Sequence, residues 1–82
     1  MAKFLCVCGQ QIRTSGAIPN PDEWRVLSDV EFDEFIGMID AEVIYRRTTI
    51  MYRCPHSGHL WFFWNGFDAR PTIYEPLGEA PW

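Results

Sequence analysis

Three cysteines, Cys6, Cys8 and Cys54, and two histidines, His56 and His59, are the residues of this chain best suited to chemistry. They fall into two short groups. Cys6-Val7-Cys8-Gly9 ends an alternating segment, and side chains two apart in an extended chain point the same way, so both sulfurs share a side. Cys54-Pro55-His56-Ser57-Gly58-His59 follows a second extended segment and leads into Leu60-Trp61. Zinc takes four tetrahedral ligands, usually thiolates and imidazoles. Three cysteines and one histidine meet that count. Singly, a free cysteine is a small buried hydrophobe and needs no metal to explain it. As a set, at the ends of two strands in a short chain, these residues point to a structural zinc ion.

The second group also resembles a known turn. Cys54-Pro55-His56-Ser57-Gly58-His59-Leu60 is similar to a zinc-ribbon or rubredoxin-type knuckle, in which Cys-Pro-x-Cys-Gly aims its backbone amides at the thiolate. The resemblance implies a zinc-ribbon-like fold in which two cysteine turns share one ion. Ser57 stands where that pattern has its second cysteine, and the first group has one intervening residue where the pattern has two. A histidine must then complete the set. His59 could swing back over Gly58, giving Cys54-x4-His59. His56 is the alternative, since Cys54-x-His56 would mirror Cys6-x-Cys8. In the resembled pattern the residue at the His56 position points away from the metal, which favours His59.

A closed four-ligand site is structural, whereas a catalytic zinc keeps an open position. The chain has no HExxH-like element, no glycine-rich phosphate loop and no nucleophile elbow. Redox use of Cys6 and Cys8 would compete with the metal for both thiolates. The expectation is a protein that is not an enzyme.

The elements that must hold these residues can be read from periodicity. Lys3–Cys8 alternates like a strand, and Gln11–Thr14 can return as its hairpin partner after Gly9. Ser15–Asp22, with Gly16, Pro19 and Pro21, reads as a loop, and Trp24–Leu27 as a short extended segment. Ser28-Asp29-Val30-Glu31 matches a capping box. After it Phe32, Phe35, Ile36, Ile39 and Val43 keep the spacing of one buried helix face, with Gly37 as a point where the helix bends or ends. Thr48–Cys54 and Leu60–Trp64 are strands, and Thr72–Tyr74 is an edge strand between Pro71 and Pro76. Pro81-Trp82 is a tail. Leu60–Trp64 is apolar on both faces, which fits either a covered central strand or a homodimer interface.

The expected architecture is α+β in a single domain, residues 1–82. One small antiparallel sheet (strands near 3–8, 11–14, 48–54, 60–64 and 72–75) carries one amphipathic helix near 29–39, which packs Phe32, Phe35, Ile36 and Ile39 onto it. A chain of 82 residues buries a limited core, and small scaffolds commonly need a metal or disulfide staple. An odd cysteine count is a poor disulfide framework.

Composition narrows the function classes. With 48% hydrophobic and 16% aromatic residues the chain is too apolar for disorder. No segment approaches the roughly 20 apolar residues of a membrane span. The N-terminal apolar run is shorter than the about 7–15 residues of a secretory signal, so the expected location is cytoplasmic. The formal net charge is −4, but Asp22–Glu42 holds eight acids against Arg25 alone, so that window carries −7. Nucleic-acid binders normally carry the opposite sign. Size and acidity resemble those of bacterial immunity proteins and other small inhibitors, which implies a basic protein partner met by Asp33, Glu34 and Asp40. The alternative is a nucleic-acid-binding, zinc-ribbon-like regulator that uses Arg46, Arg47, Arg53 and Arg70 with Trp61, Phe63 and Trp64 as a stacking surface.

Overall fold

The computed structural model describes residues 3–14 and 19–81. Part of the loop expected over Ser15–Asp22, and Trp82 of the expected tail, lie outside the described residues. The protein is a small α+β fold with two antiparallel sheets and two short helices. In chain order the elements are β1 (Lys3–Leu5), β2 (Gln11–Arg13), β3 (Glu23–Val26), α1 (Asp29–Phe32), α2 (Ala41–Arg47), β4 (Thr49–Arg53), β5 (Leu60–Phe62) and β6 (Thr72–Tyr74).

The single sheet expected from the sequence is divided. β1 and β2 pair only with each other, Phe4 opposite Ile12. β3, β4, β5 and β6 form a separate sheet in that order, with Trp24 opposite Met51, Tyr52 opposite Trp61 and Trp61 opposite Ile73. The hairpin lies against a face of the larger sheet and does not extend its edge. The Phe4 ring sits 4.7 Å from Trp61, 5.8 Å from Tyr52 and 6.1 Å from Phe63. Aromatic pairs at these distances and tilted angles attract beyond their buried area. This packing buries Ile12 completely and forms one core from Cys6, Ile12, Tyr52, Cys54, Trp61 and Phe63. Face-to-face packing covers apolar side chains that edge pairing would leave in water.

The strands are shorter than the alternation suggested, for a chemical reason. β1 ends at Leu5 because Cys6 and Gly9 turn back on themselves: Cys6 N–H donates to Gln10 O at 2.8 Å and Gly9 N–H to Cys6 O at 2.8 Å. Gly9 takes φ +94, a conformation glycine adopts without a Cβ penalty.

The helix differs most from expectation. Ser28 does cap a helix, its Oγ accepting from Glu31 N–H at 3.1 Å, but α1 stops after one turn. Gly37, at φ +79, breaks the path, and Asp40 starts a second helix by accepting from Glu42 N–H. The expected stripe therefore does not share one buried face. Phe32, Ile36, Ile39 and Val43 are all exposed, Ile36 at 83%. The segment is held by polar contacts. Arg47 bridges Glu31 and Glu34 at 3.6 and 3.3 Å, and Arg25 of β3 stacks 4.1 Å over the Tyr45 ring of α2. No helix among the described residues is long and apolar enough to cross a membrane.

Candidate metal centre

Two turns converge to form the site. The first is the tip of the β1–β2 hairpin, which carries Cys6 and Cys8. The second links β4 to β5: Cys54 N–H donates to His59 O at 2.9 Å, and Gly58 N–H returns to Cys54 O at 3.0 Å. Gly58 sits at φ +80, the left-handed geometry that a reversal this tight demands. The core described above clamps the turns together, since Phe4 on the hairpin and Trp61 on β5 are in direct contact.

The Sγ atoms of Cys6, Cys8 and Cys54 all lie within 4.8 Å of one another. Cys8 and Cys54 are 3.6 Å apart. In a tetrahedral zinc–thiolate centre, bond lengths of about 2.3 Å set sulfurs about 3.8 Å apart. The spacing is also far longer than the roughly 2.05 Å of a disulfide, and all three cysteines are free. Cys6 and Cys54 are buried and Cys8 is exposed.

The donors around the sulfurs favour the anion. Burial pushes the Cys54 thiol up, but hydrogen bonds from the Ser57 side chain, the Ser57 and His56 amides and Cys8 outweigh it and bring it down to about 6. One of these is Ser57 N–H to Cys54 Sγ at 3.5 Å. Cys6 follows the same logic: burial raises it, while the Cys8 amide and the Ser57, Trp61 and Cys8 side chains lower it further. Trp61 is informative here. Its Nε1–H is buried without a hydrogen-bond partner among the described residues, and it is one of the groups that lower the Cys6 thiol. Thiolate, not thiol, is the form that binds metal.

The three cysteines named from the sequence are thus brought together. Neither histidine ring joins the set within mutual ligand distance. His56 is exposed. His59 is half-buried, and its Nδ1 lies 2.6 Å from Ser57 Oγ. Ser57 Oγ in turn lies 3.6 Å from Cys6 Sγ. Ser57 is the residue sequence reasoning passed over. Its signal was its place in the knuckle, where it was read as a missing cysteine and not as a donor in its own right. Trp61 had no comparable signal, because an indole beside a strand reads as core.

Residues 2–78 match the model of the family DUF8617, described as a domain of unknown function. The chain belongs to the DUF8617 family. No curated protein and no solved structure matches it. The family match spans both cysteine turns and the whole acidic window.

The surface residues named for partners divide into groups. Asp33, Glu34 and Asp40 all lie on the broken helical segment. Glu34 is paired with Arg47, Asp40 caps α2, and Asp33 makes no ion pair among the described residues. Of the stacking candidates, Trp61 and Phe63 are buried in the core and Trp64 is exposed. Arg46 and Arg47 are engaged by Glu42, Glu31 and Glu34.

Proposed function

We propose that this chain is a small protein-interaction module folded around a structural zinc ion bound by Cys6, Cys8 and Cys54. The observation that carries the zinc is the meeting of three sulfurs from two turns 46 residues apart in sequence. Metal binding accounts for features that would otherwise conflict. Two buried cysteines sit among donors that lower their pKa, and a buried indole N–H has no oxygen to bond.

The interaction surface is the segment from Asp29 to Asp40. Val30, Phe32, Ile36 and Met38 are exposed there beside Asp33 and Glu34, Met38 fully so. Apolar side chains ringed by one sign of charge suit a protein partner of the opposite sign. An inhibitor or immunity-type role against a basic protein fits this surface. Stacking on nucleic acid fits less well, because two of its three aromatics are inside the core and two of its arginines are paired with glutamates.

Native mass spectrometry tests the metal: a mass one zinc ion above the chain is expected, and a metal-free folded monomer would reject the centre. Capture of partners from the native host, with wild type beside an Asp33→Lys/Glu34→Lys variant, tests the surface. Basic proteins retained by wild type and lost by the variant are expected. Equal retention would reject the acidic segment as the contact.

A further inference from the structure

We propose that Ser57 Oγ fills the fourth coordination position with His59 behind it as its hydrogen-bond partner, and that this oxygen corner lets the centre exchange its metal more readily than an all-thiolate site would. The proposal rests on the zinc reading above and concerns how that ion is held and released.

One edge fits an oxygen at the corner. With zinc–sulfur bonds of about 2.3 Å and a zinc–oxygen bond of about 2.1 Å, the sulfur-to-oxygen edge of a tetrahedron is about 3.6 Å. Cys6 Sγ and Ser57 Oγ are 3.6 Å apart. The knuckle delivers Ser57 to this place: its own N–H reaches Cys54 Sγ at 3.5 Å, so backbone and side chain of one residue both address the centre.

The same geometry sets His59 one step back. Two ligands on one zinc ion, an imidazole nitrogen and an oxygen, stand about 3.4 Å apart. His59 Nδ1 and Ser57 Oγ are 2.6 Å apart, a direct hydrogen bond and too close for two corners of one tetrahedron. His59 N–H also lies 3.4 Å from the same oxygen. With a metal in place the hydroxyl turns its lone pair to the ion, gives up its hydrogen bond to the thiolates and donates its single proton to Nδ1. The ring fixes the orientation of the serine, as outer-shell partners of metal ligands commonly do.

A neutral hydroxyl is a harder and weaker donor than a thiolate. One corner of the site is therefore held less tightly than the other three, and the exposed Cys8 lies on the solvent side of the cluster. An incoming chelator meets these two positions first.

The test uses cobalt(II) and zinc with the full chain and four variants. Cobalt titration of wild type is expected to show tetrahedral d–d bands and a charge-transfer band for three thiolates. Ser57→Ala and His59→Ala are each expected to weaken metal affinity on the order of 10- to 100-fold, the usual range for such partners. His59→Asn, whose amide oxygen can take the serine proton in place of Nδ1, is expected to recover most of the loss, although asparagine is a poor zinc ligand. Ser57→Cys is expected to add a fourth thiolate to the charge-transfer band and to slow zinc release to a chelator by at least 10-fold. Abolished tetrahedral binding in both His59→Ala and His59→Asn, with Ser57→Ala unchanged, would make His59 the ligand and overturn the proposal. Unchanged affinity in both Ser57→Ala and His59→Ala would place solvent at the corner and overturn it as well. A wild-type chain without any thiolate-to-cobalt band would instead overturn the metal centre itself.

Discussion

Removal of the proposed zinc ion should unfold this protein, and the size of the effect can be worked from the fold. An ion that joins Cys8 to Cys54 closes a loop of 46 residues. Cross-linking a loop of that length removes about 4 kcal/mol of chain entropy from the unfolded state, by the relation used for disulfides. A core of this size rarely supplies more than about 3–5 kcal/mol in net stability. The link is thus as large as the margin it protects. Where some structure survives, a loss of about 4 kcal/mol corresponds to a fall in Tm of about 15–30 °C for a domain this small. The loss also reaches the packing, because Cys6 and Cys54 are themselves core residues, and thiolates left without a cation would repel one another there. The assay is a thermal melt followed by near-UV circular dichroism, before and after chelation, with zinc restored at the end. The expected result is loss of the aromatic signal and of the cooperative transition, both recovered on adding zinc. A chelated sample that keeps its near-UV spectrum and melts within about 5 °C of the holo protein would refute the staple.

Four further outcomes follow from the packing and the charges. Ile12→Ala removes a completely buried side chain and should cost about 2–5 kcal/mol in urea unfolding at saturating zinc; a change below about 1 kcal/mol would mean the hairpin does not pack on the sheet. Burial pushes Tyr52 up, and the Glu23 carboxylate that accepts its hydroxyl at 3.2 Å pushes the same way, to about 12. Because the folded state holds that proton more tightly than the unfolded one, the stabilisation is complete below about pH 10 and is lost as pH rises towards 12. Absorbance titration of tyrosinate should show one late step that Tyr52→Phe abolishes. Against a basic partner, Asp33→Lys with Glu34→Lys should slow association and flatten its salt dependence. Asp40→Asn should preserve the α2 cap while removing one charge, so circular dichroism unchanged from wild type with weaker binding would mark an electrostatic contact.

Most of the sheet was legible because its signals are local. Alternation in Lys3–Cys8, the glycine after Cys8 and the proline brackets around Thr72–Tyr74 each act within a few residues. The convergence of the cysteines was legible because thiols are recognised by residue type, whatever the intervening chain does. Two features were not. Phe32, Phe35, Ile36, Ile39 and Val43 keep helical spacing on paper, but spacing has meaning only while the helix is continuous. α1 ends at Phe32, and with Gly37 at positive φ before α2 begins, Ile36 and Ile39 lie in the link between the helices and share no helix face with Phe32 or Val43. Asp40-Ala41-Glu42, just beyond the helix expected near 29–39, carries a second cap. The placing of the hairpin on the sheet face was equally hidden, since Phe4 and Ile12 look the same in sequence whether they pair at an edge or pack on a face.

These two misreadings share a cause that bears on function. In most small α+β proteins the helix is needed to cover the sheet, and its apolar stripe is committed to the core. Here the β1–β2 hairpin covers that face instead, with Phe4 and Ile12 against Tyr52, Trp61 and Phe63. The metal centre would hold it there, because Cys6 and Cys8 sit at the hairpin tip and Cys54 at the end of β4. Once the hairpin does the work of a helix, the segment from Asp29 to Arg47 is no longer required inside. It can display Ile36 and Met38 to solvent, keep its acids outward and stay attached through Arg25 on Tyr45 and Arg47 on Glu31 and Glu34. The proposed zinc binding and partner binding would then be linked through the fold. A chain with its cysteines replaced should lose the partner even though no cysteine touches it, whereas substitutions at Ile36 or Met38 should lose the partner and leave the zinc and the melting temperature unchanged.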